Sequence, residues 1–343
     1  MSQLGFFDLS NRYEKLSQMK DPLEKLNSVI NWRQFLPLIK RAFDKQRKSN
    51  AGRRPYNRLL MFKILILQSL YNLSDHQIEY QIRDRLSFMR FLDIHLEEMI
   101  PDEKTIWSFR EVLVKSNMIE KLFARFDRYL NEKGYGAELG MIVDASIVEA
   151  PKQRNSRDDN KKIKDGEIPE SFKENPNKMR QKDVDARWTM KVNQHYFGYK
   201  DHINVDVKHK VIRKYVVTPA STGDVKCLSK LIHGQNNADR KLWADGAYDS
   251  KQSDNLLNRY RIGNRITHRI RAGDWISEPD ARENSRRSKI RKRVEHIFGF
   301  IQNSMNGKFI RTIGIARAKI KIGLMNLVYN MRRYEQLCRI GVS

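Results

Sequence analysis

Met141-Ile142-Val143-Asp144 is a short apolar run closed by an acid, and Leu242-Trp243-Ala244-Asp245 repeats the device further along the chain. Apolar runs of this length bounded by polar residues read as buried strands. An Asp at the C-terminal end of such a strand points into the crevice where α/β sheets hold ligands. One alone is more often a turn or helix-capping residue, but two on strands that can be neighbours argue for a site. Between them, Ile203, Val205 and Val207 alternate with Asn204, Asp206 and Lys208, as in a half-buried strand. Val211-Ile212 and Tyr215-Val216-Val217 follow the Lys208-His209-Lys210 turn as its hairpin partner. Asp224, Leu228, Leu231 and Ile232 fit a helix, residues 262–267 one more strand, and the final third returns to helix. This order predicts a mixed α/β domain from residue 135 to the end.

Upstream, residues 1–134 read as helical. Leu59 to Tyr71 makes a wide apolar stripe after Arg54-Pro55, and Pro suits a helix start. Ser74-Asp75-His76-Gln77 has the form of a capping box opening a helix with Ile78, Ile82 and Leu86 on one face. Pro101 to Thr105 punctuates again before Ile106, Phe109, Leu113 and Met118. Short helices with basic connectors suit a helix-turn-helix or, equally, a compact packing and dimerisation domain. The segment 152–192 carries mixed charges, two prolines and few apolar residues before Trp188, which predicts a long flexible basic loop.

Charge narrows the partner. The 343 residues hold 66 Lys and Arg against 41 Asp and Glu, a net charge of +25, which calls for a polyanion. From Arg286 to Ser343 fourteen bases face only Glu295 and Glu335, so phosphate neutralisation explains the tail better than a solvated mixed-sign surface. The longest apolar stretch, Leu59 to Leu73, is interrupted by Lys63, Gln68 and Asn72 and is too short for a bilayer. Two cysteines, Cys227 and Cys338, make neither a disulfide framework nor a four-thiolate zinc site, and the start shows no secretory pattern. A reducing cytoplasm and a nucleic-acid partner are therefore expected.

The same arithmetic isolates a third acid. In Arg286-Arg287-Ser288-Lys289-Ile290-Arg291-Lys292-Arg293-Val294-Glu295 one carboxylate stands among six bases. As a single helix, Ile290, Val294, Ile297, Phe298, Ile301 and Met305 share a face, with Ser288, Arg291, Glu295 and Gln302 in a stripe beside it. Glu295 would then sit where it can reach the sheet. The plainer alternative is an i,i+4 ion pair with Arg291, worth about 0.3–0.5 kcal/mol. Three carboxylates in a basic cleft suit phosphodiester chemistry: hard Mg²⁺ ions take oxygen ligands, and a pair of them can assist an in-line displacement. Asp249 rivals Asp245 in this reading, and Asp201 and Asp224 are further candidates for the neighbourhood. The eight histidines are scattered without HExxH or zinc spacing, and neither GxxxxGK[ST] nor GxSxG occurs.

At these residues the sequence resembles the DDE transposases of bacterial insertion sequences, in the group named after insertion sequence five. Arg53-Arg54-Pro55-Tyr56, Leu73-Ser74-Asp75, Asp84-Arg85-Leu86-Ser87-Phe88 and residues 101–110 are similar to that group's N-terminal domain. Residues 143–151, Phe197-Gly198-Tyr199-Lys200-Asp201-His202, residues 244–250 and residues 291–299 are similar to its catalytic blocks. The resemblance implies an RNase H-like catalytic core over 135–343 behind a helical DNA-binding or assembly domain over 1–134. It implies Asp144, Asp245 and Glu295 as catalytic metal ligands for two Mg²⁺, with Mn²⁺ as a substitute. It further implies cleavage of an element end and attack of the 3′-hydroxyl on target DNA. Double-stranded DNA is the implied partner, gripped by Arg286, Arg287, Lys289, Arg291, Lys292 and Arg293, with a homodimer in the complex and a nucleoid location. The related terminal-helix motif has Tyr and Lys where this chain has Ser288 and Gln302. A nuclease without strand transfer, or a DNA-binding protein without catalysis, are the competing expectations.

Overall fold

The computed structural model describes residues 7–43, 55–232, 240–269 and 277–341, so Arg53 and Arg54 of the N-terminal motif lie outside it. The chain forms two units, Met1–Phe126 with Asn330–Ser343, and Asp127–Tyr329. The basic C-terminal stretch is thus divided, its last residues grouping with the N-terminal helices.

The first unit is helical: α1 (Asp8–Gln18), α2 (Pro22–Val29), α3 (Leu36–Ala42), α4 (Arg58–Leu70), α5 (Asp75–Asp84), α6 (Leu86–Leu92), α7 (Glu103–Lys115) and the start of α8 (Met118–Glu132). Helix α4 is largely apolar and is buried from Met61 to Gln68, Lys63 included, as a central helix must be. Its cap is Asn57, whose side chain accepts from the Leu59 amide, and Pro55 lies before the helix. The expected capping box forms at Ser74 and Gln77. Leu86 does not extend α5, because Arg85 turns to extended backbone and restarts the chain as α6. Arg110 pairs with Asp75 at 2.6 Å and also donates to Gln68, which satisfies the polar groups of that interior. The chain's end completes this unit: Tyr334 stands edge-on to Phe126, Leu337 is buried, and Arg332 donates to the Pro22 carbonyl.

The second unit is built on a mixed sheet of β1 (Gly140–Glu149), β2 (Arg187–Lys191), β3 (Gln194–Asp206), β4 (Ile212–Pro219), β5 (Lys241–Trp243) and β6 (Gly263–Asn264). Strands β1, β3 and β4 form an antiparallel meander, and β5 then β6 add in parallel beside β1. The order β4-β3-β1-β5-β6, three antiparallel strands followed by two parallel ones, is that of an RNase H-like core. Met141, Val143, Leu228, Leu231, Leu242, Tyr248 and Leu257 form the buried layer on one face. Gly198 lets β3 approach β1: its φ is +153°, and a Cβ there would run into the Val148 carbonyl oxygen.

The segment 152–192 is ordered into α9 (Arg157–Lys164), α10 (Glu170–Lys173), α11 (Pro176–Gln181) and β2, not the flexible loop that its composition suggests. Its few apolar residues are well spent, with Ile163 and Phe172 both buried. Asp183 supplies the rest of the anchor. It accepts from the Tyr199 hydroxyl at 2.8 Å and from the Ala186 and Gly314 amides at 2.9 and 3.1 Å. Arg187 ties the segment to the Val184 and Ile163 carbonyls.

Candidate active site

Strands β1 and β5 run parallel with Ile142 opposite Trp243. Asp144 and Asp245 each lie two residues beyond that pair, so the register carries both to the level at which β5 stops. Asp144 stays within β1, opposite Ile203 of β3. Asp245 leaves β5 and accepts the Ala247 amide at 3.1 Å, capping a 3-10 turn over Gly246–Tyr248. Its turn-capping role and its place in the site therefore coincide.

The third acid arrives on an irregular helical segment. The expected single helix is a succession: helix Glu278–Arg291, a 3-10 turn Lys292–Val294, a short helix Glu295–Gly299 and a π turn Phe300–Ser304. These changes of pitch keep Val294, Ile297, Ile301 and Met305 buried. Arg291 closes the first helix and forks, donating to Asp144 at 2.9 Å and to Glu295 at 3.2 Å. The Glu295 side chain remains 57% exposed. Thus the two aspartates are near enough for their charges to interact, while Glu295 is joined to Asp144 through a guanidinium, in the i,i+4 pairing that was the plainer alternative. Among the described residues no three His, Cys, Asp or Glu side chains stand close enough to hold a metal ion.

Electrostatics mark the pair. Burial pushes the Asp144 carboxyl up to about 6, the Asp245 charge adds to the rise, and the Ala145 amide, Arg291 and Lys191 oppose it. Asp245 is raised by burial and by Asp224, against the Ala247 amide and Arg291. Tyr248 is fully buried with the charges of Asp224, Asp144 and Asp245 around it, and its hydroxyl has no hydrogen-bond partner among the described residues. Two carboxylates that repel each other are oxygen donors of the kind a hard divalent cation takes. Arg291 supplies the positive charge in the gap to Glu295.

Of the rival acids, Asp224 is held by Lys200 at 2.8 Å and faces the site. Asp249 is turned to the Arg269 amide, and Asp201 accepts from Asn326. Gln302 donates to Ser146 of β1 at 2.7 Å, and Ser288 is half-buried. The expected DNA-gripping residues divide in two. Arg287 is engaged by Glu283 and the Ile266 carbonyl, Arg293 by the Val207 carbonyl, and Arg291 by the acids. Arg286, Lys289 and Lys292 are exposed. Beside Asp245 opens a cavity of about 700 Å³ lined by Lys200, Asp224, Lys226, Gly246, Ala247 and Arg269.

Sequence reasoning missed Lys191 and Tyr248. For Lys191 a signal existed: Trp188 and Met190 alternate with polar residues before Val192-Asn193, the pattern of a hairpin arm.

The family model described as "Transposase DDE domain" matches residues 135–331, and that described as "Transposase domain (DUF772)" matches residues 11–112. The chain is also similar to a solved piggyBac transposase synaptic complex with hairpin DNA, at 11% identity and a TM-score of 0.47, over 94% of this chain and 76% of that one. No helix among the described residues is long and apolar enough to cross a membrane. With the DDE match spanning more than half of its length, the chain belongs to the transposase DDE domain family.

Proposed function

We propose that this chain cuts DNA at the terminal inverted repeats of an insertion sequence and joins the freed 3′-hydroxyl to target DNA. The observation that carries the reading is the pair Asp144 and Asp245, brought level by the β1–β5 register in a chain of net charge +25. Water attacks the phosphodiester at the element end and leaves a 3′-hydroxyl. That hydroxyl then attacks a target phosphodiester, breaking one such bond as it makes another. The joining step is balanced in bonds and needs no nucleotide fuel, consistent with a chain that has no phosphate-binding GxxxxGK[ST] loop.

Asp144, Asp245 and Glu295 would hold divalent cations, Mg²⁺ by preference and Mn²⁺ as a substitute. Bound there, such ions activate the attacking oxygen and steady the leaving one. Arg291 favours the ionised form of Asp144 and must release Glu295 when that carboxylate takes up a ligand role. Arg286, Lys289 and Lys292 hold the DNA backbone, the N-terminal helices read the repeats, and two copies of the chain pair the two ends.

The test is cleavage of a labelled duplex bearing the flanking inverted repeat, with Mg²⁺ against EDTA. Asp144→Asn should keep binding and lose cleavage by about a thousandfold or more, at about 1.4 kcal/mol of barrier per tenfold. Unchanged cleavage overturns the role of this carboxylate. A covalently joined product with a target duplex separates strand transfer from hydrolysis alone.

A further inference from the structure

The β2–β3 hairpin ends in a way that folding alone does not explain. Lys191 pairs with Gln194, so the turn is only Val192-Asn193, and both residues have positive φ, +49° and +58°. Two-residue turns of this hand take Asn-Gly or Asp-Gly, because a side chain branched at Cβ is strained there. Val192 is nevertheless at the tip and is 91% exposed. Met190, 63% exposed, and Trp188, 43% exposed, follow it back along β2. Trp188 rests on Phe197 with Lys152 over its ring, so the base of the hairpin is braced while the point is bare. A strained, solvated apolar residue contributes nothing to the core and marks a place where function overrides local preference.

What the point meets follows from its surroundings. Lys191 adjoins the tip and is near enough to the acids for its charge to act on both Asp144 and Asp245. Lys152 lies over Trp188 at the base of the arm, in a chain of net charge +25. An apolar point with a lysine next to it, beside a phosphodiester-cutting site, is complementary to a base step with its flanking phosphate. Proteins that kink DNA insert apolar side chains between bases in this way and recover the unstacking cost through backbone contacts.

We propose that Val192, backed by Met190, is a wedge that enters the DNA stack next to the scissile phosphate and parts the adjoining base pair, while Lys191 grips a flanking phosphate. The inference rests on the reading of the chain as a DNA-cutting enzyme. Parting that pair frees the strand to bend toward Asp144 and Asp245, which a regular duplex cannot do without exposing its bases.

The probe is a duplex of the flanking inverted repeat with 2-aminopurine next to the cleavage position, bound by the full-length Asp144→Asn chain. Its fluorescence should rise several-fold on binding, as for an unstacked base. Adding Val192→Asn, which places a residue suited to positive φ, should leave the melting temperature equal or higher and abolish the rise. In the chain with Asp144 intact, Val192→Asn should slow cleavage at least about tenfold, the rate value of part of the unstacking energy. A mismatch at the same base pair should restore it. An unchanged fluorescence rise or unchanged cleavage in Val192→Asn overturns the wedge. So does a change of oligomeric state with unstacking intact, which would make the tip a contact between copies. If the unsubstituted chain binds and cuts no such duplex, the parent reading falls, and the wedge falls with it.

Discussion

Arg291 is the side chain on which the acid site turns. It sits where the sequence placed a DNA contact, yet both ends of its fork are occupied by carboxylates. Because it opposes the rise in the Asp144 carboxyl, Arg291→Gln should leave that acid harder to ionise. The acid limb of the cleavage–pH profile should move to higher pH by about one pH unit, and an unmoved limb would remove Arg291 from the electrostatics of the site. Asp201 offers a separate test of burial. It is pushed up to about 7 by burial, against the hydrogen bond from Asn326. A buried acid raised above its unfolded value binds more protons in the native state, so stability falls as pH rises from about 4 to 7. Asp201→Asn removes that dependence. Its stability advantage, read from melting temperatures, should grow by on the order of 2–3 kcal/mol between pH 5 and pH 8. Asp144 and Asp245 were legible in the sequence because each closes an apolar run. Glu295 was legible from charge and its i,i+4 partner Arg291 from spacing, but the changes of helical pitch around them were not. Tyr248 was not legible, since a buried tyrosine and an orphaned one read alike in a sequence.

Among elements, the strands were found more surely than their lengths. The apolar run 141–143 marks only the buried start of β1, whose remaining residues to Glu149 are mostly half-buried and lack a continuous apolar signal. The hairpin of β3 and β4 was visible because alternation and turn residues agree. Segment 152–192 was misjudged because a handful of apolar residues and one buried carboxylate, Asp183, hold it, and composition averages such anchors away. The 286–305 stretch kept its buried face but not its uniform pitch, and π turns of this kind recur at functional sites. Gly198 is the position on which strand pairing depends. Gly198→Ala combines a disfavoured backbone angle with a collision against β1, and should cost at least about 2–3 kcal/mol. A melting temperature equal to that of the parent would show that β3 does not need the close approach.

For the molecule as a whole, the charge excess predicts binding that weakens steeply with salt, by a slope of about 0.9 per phosphate neutralised. Replacing Arg286, Lys289 and Lys292 together by Ala should lower that slope by about 2–3, while a flat salt response would strip the basic segment of its role. Part of the tail is committed elsewhere, since Arg287, Arg291 and Arg293 are bonded within the fold and Arg332 works inside the helical unit.

The helical unit is closed by residues from both ends of the chain, with Tyr334 and Leu337 seated among helices made from the first third of the sequence. The helices made first therefore lack their full complement of neighbours until a segment synthesised much later has emerged. A lesion at the codons of Tyr334 or Leu337 would damage the beginning of the protein, even though every early codon was translated correctly.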